Sequence, residues 1–252
     1  MKLTIIGMSG SFPGPDSPAS CYLVEQEYDG GVFRVLLDLG NGALGVLQRH
    51  IDIGQVDAVL LSHLHADHCL DLCGYYVVRK YAPGGPWPTI PVYGPEGTAD
   101  RMARAYDLPV DPGMRNEFEF RTFPDGDFTL GPFRVRTARV AHPVTAYGIR
   151  LETGGRSLVY SGDTGACDAL VDLAAGTDLM LCEASFVEAD HNPPNLHLTG
   201  REAGEHATRA AARRLVLTHI PPIVDAKQVF REAESAYSGD LDVARVGATY
   251  VL

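Results

Sequence analysis

Short apolar runs separated by glycine, proline and acidic residues fill the first half of the chain. Leu3–Ile6, Ser20–Val24 and Val32–Leu37 are apolar or β-branched and bounded by turn residues, which predicts strands. Gly42–His50 reads as a helix. Val56–Leu61 is a continuous apolar run, the pattern of a strand covered on both faces. Further on, Phe133–Val140 sets Arg134 and Arg136 against Phe133 and Val135, the period-two alternation of a half-buried strand. These arginines, with Arg139, read as the strand's solvated face rather than as a basic patch. Tyr147–Glu152, Ser157–Tyr160, Leu179–Cys182, Leu215–Thr218 and Asp242–Leu252 are further predicted strands. Two helices follow the strands. One runs from Gly200 to about Arg213, with Thr199 as N-cap and Glu202 completing a capping box. The other is capped by Asp225 and runs to about Tyr237. Gly7–Pro18, Pro83–Pro95 and His191–Pro194 are turn-rich and read as surface loops. Many strands with late helices predict two packed sheets with helices outside, in one domain spanning residues 1–252.

Composition narrows the field of functions. The 252 residues carry 21 Lys and Arg against 32 Asp and Glu, a formal charge of −11. Phosphate-backbone binding is driven by cations that release counterions, so DNA and other nucleic acids are poor general partners. An anionic membrane surface is equally disfavoured. No run reaches the length of a transmembrane helix, and Met1–Gly7 reads as a strand entering a turn rather than as a signal peptide. The cysteines (Cys21, Cys69, Cys73, Cys167 and Cys182) follow no metal-finger spacing. They read as small apolar thiols in a reducing cytoplasm.

The chemistry concentrates in Ser62-His63-Leu64-His65-Ala66-Asp67-His68. Three of the nine histidines fall here beside a carboxylate, directly after a predicted strand. Imidazole and carboxylate are ligands for zinc and its neighbours. A turn after the strand lets His63 pair with His65, and Asp67 with His68, which supplies two half-shells for two metal ions. Three further strand ends offer the missing ligands. His142 follows Phe133–Val140, Asp163 follows Ser157–Tyr160 within Ser161-Gly162-Asp163-Thr164, and His219 follows Leu215–Thr218.

His63-Leu64-His65-Ala66-Asp67-His68, with His142, Asp163 and His219 in that order, resembles the dinuclear metallo-β-lactamase superfamily over the whole chain. The resemblance implies a four-layer αββα sandwich. It places His63, His65 and His142 on one metal, Asp67, His68 and His219 on the other, and Asp163 between them. The last ligand positions differ from those of true β-lactamases, so antibiotic hydrolysis is disfavoured. Glu183-Ala184-Ser185-Phe186, His197-Leu198-Thr199 and Leu217-Thr218-His219 resemble the zinc phosphodiesterase branch that includes tRNase Z. That likeness makes His197 the candidate proton donor, with Glu183 and Thr199 in the layer behind the ligands. His191 could face substrate, whereas His50 and His206 read as surface residues. Many tRNase Z enzymes carry a tRNA-gripping arm between the positions of His142 and Asp163; only 20 residues separate them here. A small phosphodiester is therefore favoured over tRNA. Gly14–Ser20, Ser62–Asp71, Tyr160–Gly165 and Pro193–Gly200 resemble an actinobacterial group described as atypical class II cyclic-nucleotide phosphodiesterases.

The expectation is a phosphodiesterase that uses two divalent ions, zinc foremost with manganese as alternative, on 3′,5′-cyclic nucleotides. The ions would lower the pKa of a water held between them and supply the positive charge that the acidic chain lacks. Asp67 would hold one ion and orient or deprotonate the water, while His197 would protonate the departing oxygen. Competing readings are an RNA 3′-end endonuclease of tRNase Z type, a thioester or lactone hydrolase, and a non-catalytic binding scaffold. A homodimer fits the resemblance, but one dimension shows no interface.

Overall fold

The computed structural model describes residues 1–188 and 192–252. Its strands are β1 (Lys2–Gly7), β2 (Cys21–Tyr28), β3 (Gly31–Leu37), β4 (Ala58–Leu60), β5 (Ile90–Gly94), β6 (Phe118–Thr122), β7 (Phe128–Leu130), β8 (Phe133–Arg139), β9 (Tyr147–Thr153), β10 (Arg156–Tyr160), β11 (Leu179–Glu183), β12 (Arg214–Thr218), β13 (Asp240–Val243) and β14 (Thr249–Val251). They form two seven-stranded sheets, ordered β14-β1-β2-β3-β4-β5-β6 and β13-β12-β11-β10-β9-β8-β7. In each sheet an antiparallel half passes into a parallel half, β3 to β6 in the first and β10 to β13 in the second.

Strand alternation builds the layers. Leu3 and Ile5, Val35 and Leu37, Leu158 and Tyr160, and Leu179 and Leu181 are buried between the sheets in one apolar core. Their neighbours Ile6, Leu36 and Val59 face the helices α1 (Ala43–Leu47), α3 (Leu72–Tyr81) and α4 (Thr98–Ala105), through Leu47, Leu72, Tyr75 and Met102. On the other side Val159, Met180 and Leu215 pack under α5 (Asp168–Ala174), α6 (Gly200–Arg209) and α7 (Ala226–Glu234), through Leu170, Ala203 and Val229. The result is the expected αββα sandwich. No helix among the described residues is long and apolar enough to cross a membrane.

The local readings need several corrections. Pro83–Pro95 is not wholly a loop: Ile90–Gly94 is β5, an interior parallel strand. Pro91 and Gly94 are turn signals, and pairing with β4 and β6 overrides them. The early helix read at Gly42–His50 is α1, and two unread helices, α3 and α4, join it over the first sheet. The predicted closing strand is two strands. β13 ends the second sheet, and the chain then crosses to place β14 beside β1 in the first. The long apolar run at 56–61 supplies only the three-residue β4, with Val56 and Leu61 buried outside it. The helix from Gly200 stops at Arg209, because Ala211 adopts a left-handed φ of 51°. That from Asp225 stops at Glu234. Both caps are formed as expected, Thr199 with a complete capping box and Asp225 accepting from the Lys227 amide.

Candidate metal centre

Parallel strands of both sheets end at one edge of the sandwich, and the loops leaving them carry the polar residues. After β4 the chain passes His63 and His65 and enters a four-residue helix, α2 (Ala66–Cys69), which carries Asp67 and His68. His142 follows β8, Asp163 follows β10, Glu183 closes β11, and His219 follows β12. Gly162, with φ 60°, makes the turn that delivers Asp163. His219 itself has φ 56°, a left-handed conformation that costs a β-carbon-bearing residue energy and clusters at functional sites.

Donor atoms of His63, His65, His142 and Asp163 lie within 4.8 Å of one another, and so do those of Asp67, His68, Asp163 and His219. Asp163 belongs to both groups, with one oxygen towards each. Its Oδ2 is 3.6 Å from His63 Nε2, while Oδ1 is 3.2 Å from His68 Nε2 and 3.3 Å from His219 Nε2. The half-shells read along the sequence, His63 with His65 and Asp67 with His68, are thus met by His142 and His219 from the second sheet. A third group joins Glu183, His197 and His219.

The outward nitrogens fix how these rings present themselves. His68 Nδ1 donates to Asp38 Oδ2 at 2.7 Å, and His142 Nδ1 donates to the Leu196 carbonyl at 2.9 Å. Neither oxygen can donate, so each of these rings can turn a bare Nε2 inward. His63 Nδ1 lies 3.1 Å from Ser62 Oγ, and His219 Nδ1 lies 2.9 Å from Ser185 Oγ. Inward nitrogens then crowd together: His63 Nε2 and His65 Nδ1 at 2.9 Å, His65 Nδ1 and His142 Nε2 at 3.2 Å, His68 Nε2 and His219 Nε2 at 3.0 Å. Asp163 Oδ1 is buried among them without a hydrogen bond from the described residues. Converging lone pairs around an orphan carboxylate oxygen fit divalent cations.

Electrostatics agree. Burial pushes His63 well below its ordinary pKa and pushes His65 and His142 down as well, which keeps them neutral, the form that ligates. Burial acts the same way on His68, but Asp163 and Asp38 outweigh it and draw its pKa well above normal. The same carboxylates would favour a cation. Burial also works against charge on Asp67 and Asp163, yet the surrounding histidines hold both carboxyls far below the usual range. At His197 burial is more than offset by the Glu183 carboxylate, whose Oε1 is 2.9 Å from Nδ1, and the pKa rises.

Three residues that support this centre are missed by sequence reasoning. Asp38 is buried and accepts from His68, from the amide and hydroxyl of Ser62, and from Tyr160 Oη. A lone aspartate ending the apolar strand β3 was its signal. Tyr160 and Ser185 gave none. Glu183 is buried and accepts from His197, from the Thr164 amide and from the Ser185 hydroxyl. Thr199 caps α6. His206 is a correction: it is buried, accepting from the Cys167 amide through Nε2 and bonding the Glu202 carbonyl through Nδ1. A histidine on the inner face of an amphipathic helix is packed, not solvated. His50 is exposed as expected, and His191 lies outside the described residues.

Two groups of ligand atoms at the strand ends of an αββα sandwich define a metal-dependent hydrolase. A model of the beta-lactamase superfamily domain matches residues 33–220, and the chain belongs to the metallo-β-lactamase superfamily. An uncharacterised protein of Mycobacterium leprae is 46% identical over 255 residues, covering 99% of this chain and 88% of its own. Ribonuclease Z of Mycobacterium bovis is 30% identical over 275 residues, covering 96% and 95%. The crystal structure of the metallo-beta-lactamase fold protein YhfI from Bacillus subtilis superposes with a TM-score of 0.86 at 29% identity, covering 99% and 98%.

Proposed function

We propose that the protein is a phosphodiesterase that holds two divalent ions, zinc in the first instance, and hydrolyses 3′,5′-cyclic nucleotides to nucleoside monophosphates. The observation that carries this reading is the split carboxylate of Asp163, with one oxygen towards each group of histidines. His63, His65 and His142 would hold one ion and Asp67, His68 and His219 the other, with Asp163 shared. When bound, the ions supply Lewis acidity at the phosphate and a water acidic enough to attack at neutral pH.

The remaining work falls to the chain's own groups. Asp67 Oδ2 lies 3.1 Å from His219 Nε2, so as a fellow ligand of the second ion its carboxylate would stand beside the attacking water to orient it and take its proton. His197 is held by Glu183 through Nδ1, which leaves Nε2 to carry the proton for the departing ribose oxygen. The free state of all five cysteines supports a cytoplasmic setting.

A second reading, an RNA 3′-end endonuclease of tRNase Z type, is favoured by the 30% identity to ribonuclease Z. The direct hairpin from β9 to β10 across Gly154 and Gly155 counts against it, since no arm for gripping tRNA leaves that edge. So does the formal charge of −11. The test is turnover of a panel by metal-replete enzyme: cyclic nucleotides, bis(p-nitrophenyl) phosphate and precursor tRNA. We expect cyclic nucleotide and aryl diester to be cleaved and tRNA spared. Asp163→Ala should lose metal and activity while remaining folded by circular dichroism. An Asp163→Ala protein with full metal content would remove the assignment.

A further inference from the structure

A cleft of about 460 Å³ opens beside His197, of a size that takes a small organic ligand. It is bordered by a strip of chain, Asn195 to His197, tied to the candidate centre through Leu196 and His197. Leu196 accepts from the candidate ligand His142, and His197 is held by Glu183. Asn195 packs its backbone against Gly165, where a β-carbon would meet Asn195 Cα at 2.6 Å. Asn195 has φ 56° and is exposed, and its amide makes no side-chain hydrogen bond to the described residues. The strip therefore carries an available amide, on a constrained stretch of backbone, next to the proton donor.

The lining of the cleft is polar and includes no lysine or arginine among the described residues; of its two carboxylates, Glu188 is ion-paired with Arg201 of α6, which leaves Glu202 as the one without a cation partner among the described residues. The N-terminal turn of α6 also borders it, and such a turn would ordinarily attract an anion. Here the capping box uses up the donors: the Thr199 amide gives to Glu202 Oε2 at 2.8 Å, and the Glu202 amide gives to Thr199 Oγ1 at 3.2 Å. A carboxylate thus occupies the place a phosphate would take.

We infer that this cleft receives the nucleoside of the substrate, read by the Asn195 amide, and that Glu202 turns away a nucleoside bearing a second phosphate. The inference rests on the phosphodiesterase reading, in which His197 protonates the leaving oxygen and the leaving group must lie on its side. It narrows the substrate to esters with one phosphate per nucleoside.

Calorimetric titration of the metal-replete protein with AMP, adenosine 3′,5′-bisphosphate and inorganic phosphate tests it. The parent protein should bind the bisphosphate several-fold more weakly than AMP. In Glu202→Gln that gap should close, since glutamine keeps the capping box and removes the charge. Asn195→Gly keeps the left-handed backbone. It should weaken AMP by about tenfold more than inorganic phosphate, the worth of a hydrogen bond or two. Bisphosphate binding as tight as AMP in the parent, or AMP affinity unmoved in Asn195→Gly, overturns the inference. Turnover of bis(p-nitrophenyl) phosphate by the same preparation judges the activity separately. If the binding pattern is present but no diester is cleaved, the phosphodiesterase reading fails and the cleft assignment stands.

Discussion

His197 and Glu183 form the most exposed joint in the proposed chemistry, because one proton and one carboxylate decide its pH range. The Glu183 carboxylate raises the His197 pKa against burial. The protonated form is the one required, so the rate falls as pH rises through that pKa. Replacing Glu183 with Gln keeps the shape, removes the charge and lowers the pKa, and the alkaline limb of the pH–rate profile should then move to lower pH. An unmoved limb would take His197 out of the acid role. Single residues were also where the sequence spoke most clearly. Four of the nine histidines and carboxylates proposed for the centre and its proton donor, His63, His65, Asp67 and His68, stand in one motif whose spacing alone suggests metal. His142, Asp163 and His219 gain meaning only when strand ends meet, and His197 and Glu183 only through the family resemblance. Asp38, Tyr160 and Ser185 stayed invisible because each acts through a neighbour brought from far away along the chain.

Elements place those residues with little slack. Gly10 packs on the loop after β12, and a β-carbon there would sit 2.1 Å from the His219 carbonyl oxygen and 2.9 Å from its Nδ1. Gly10→Ala should therefore push His219 out of position and cost about 10–100-fold in affinity for the ion it would hold, measured by competition with a chelator. Unchanged affinity would show that the loop yields. On the far side of the first sheet, Arg79 of α3 is buried without a carboxylate in hydrogen-bond contact. It donates to the Glu117 and Pro88 carbonyls and to Tyr75 Oη, among the rings of Tyr75, Trp87 and Phe118. Arg79→Met would leave these acceptors unpaired, and we expect a loss of about 2–4 kcal/mol in urea unfolding. A variant as stable as the parent would show that Arg79 does not brace the segment before β5. The sequence pattern missed that region for a physical reason. Pro91 and the glycines at 84 and 85 are local turn signals, and only pairing on both edges makes residues 90–94 a strand.

At the scale of the molecule, each proposed ion draws ligands from both sheets. His63 and His65, or Asp67 and His68, come from the first, and His142, Asp163 and His219 from the second. Metal binding should therefore stabilise the whole sandwich. Chelation is expected to lower Tm by about 5–10 °C when metal is initially near a hundred times its dissociation constant, as read by calorimetry. No shift would mean that the seam closes equally well unaided. The layered architecture was legible in the alternation of apolar residues and in the motif order. The crossing of the chain from β13 to β14 was not, since a continuous run at 240–252 cannot reveal that its two ends belong to different sheets. The shared carboxylate of Asp163 carries a further consequence. Two ions leaning on that one anion would not come and go independently. Departure of either would leave the other with the whole charge of Asp163 and no neighbouring cation to repel it, so the last ion should be the harder to remove and chelation should proceed in two steps.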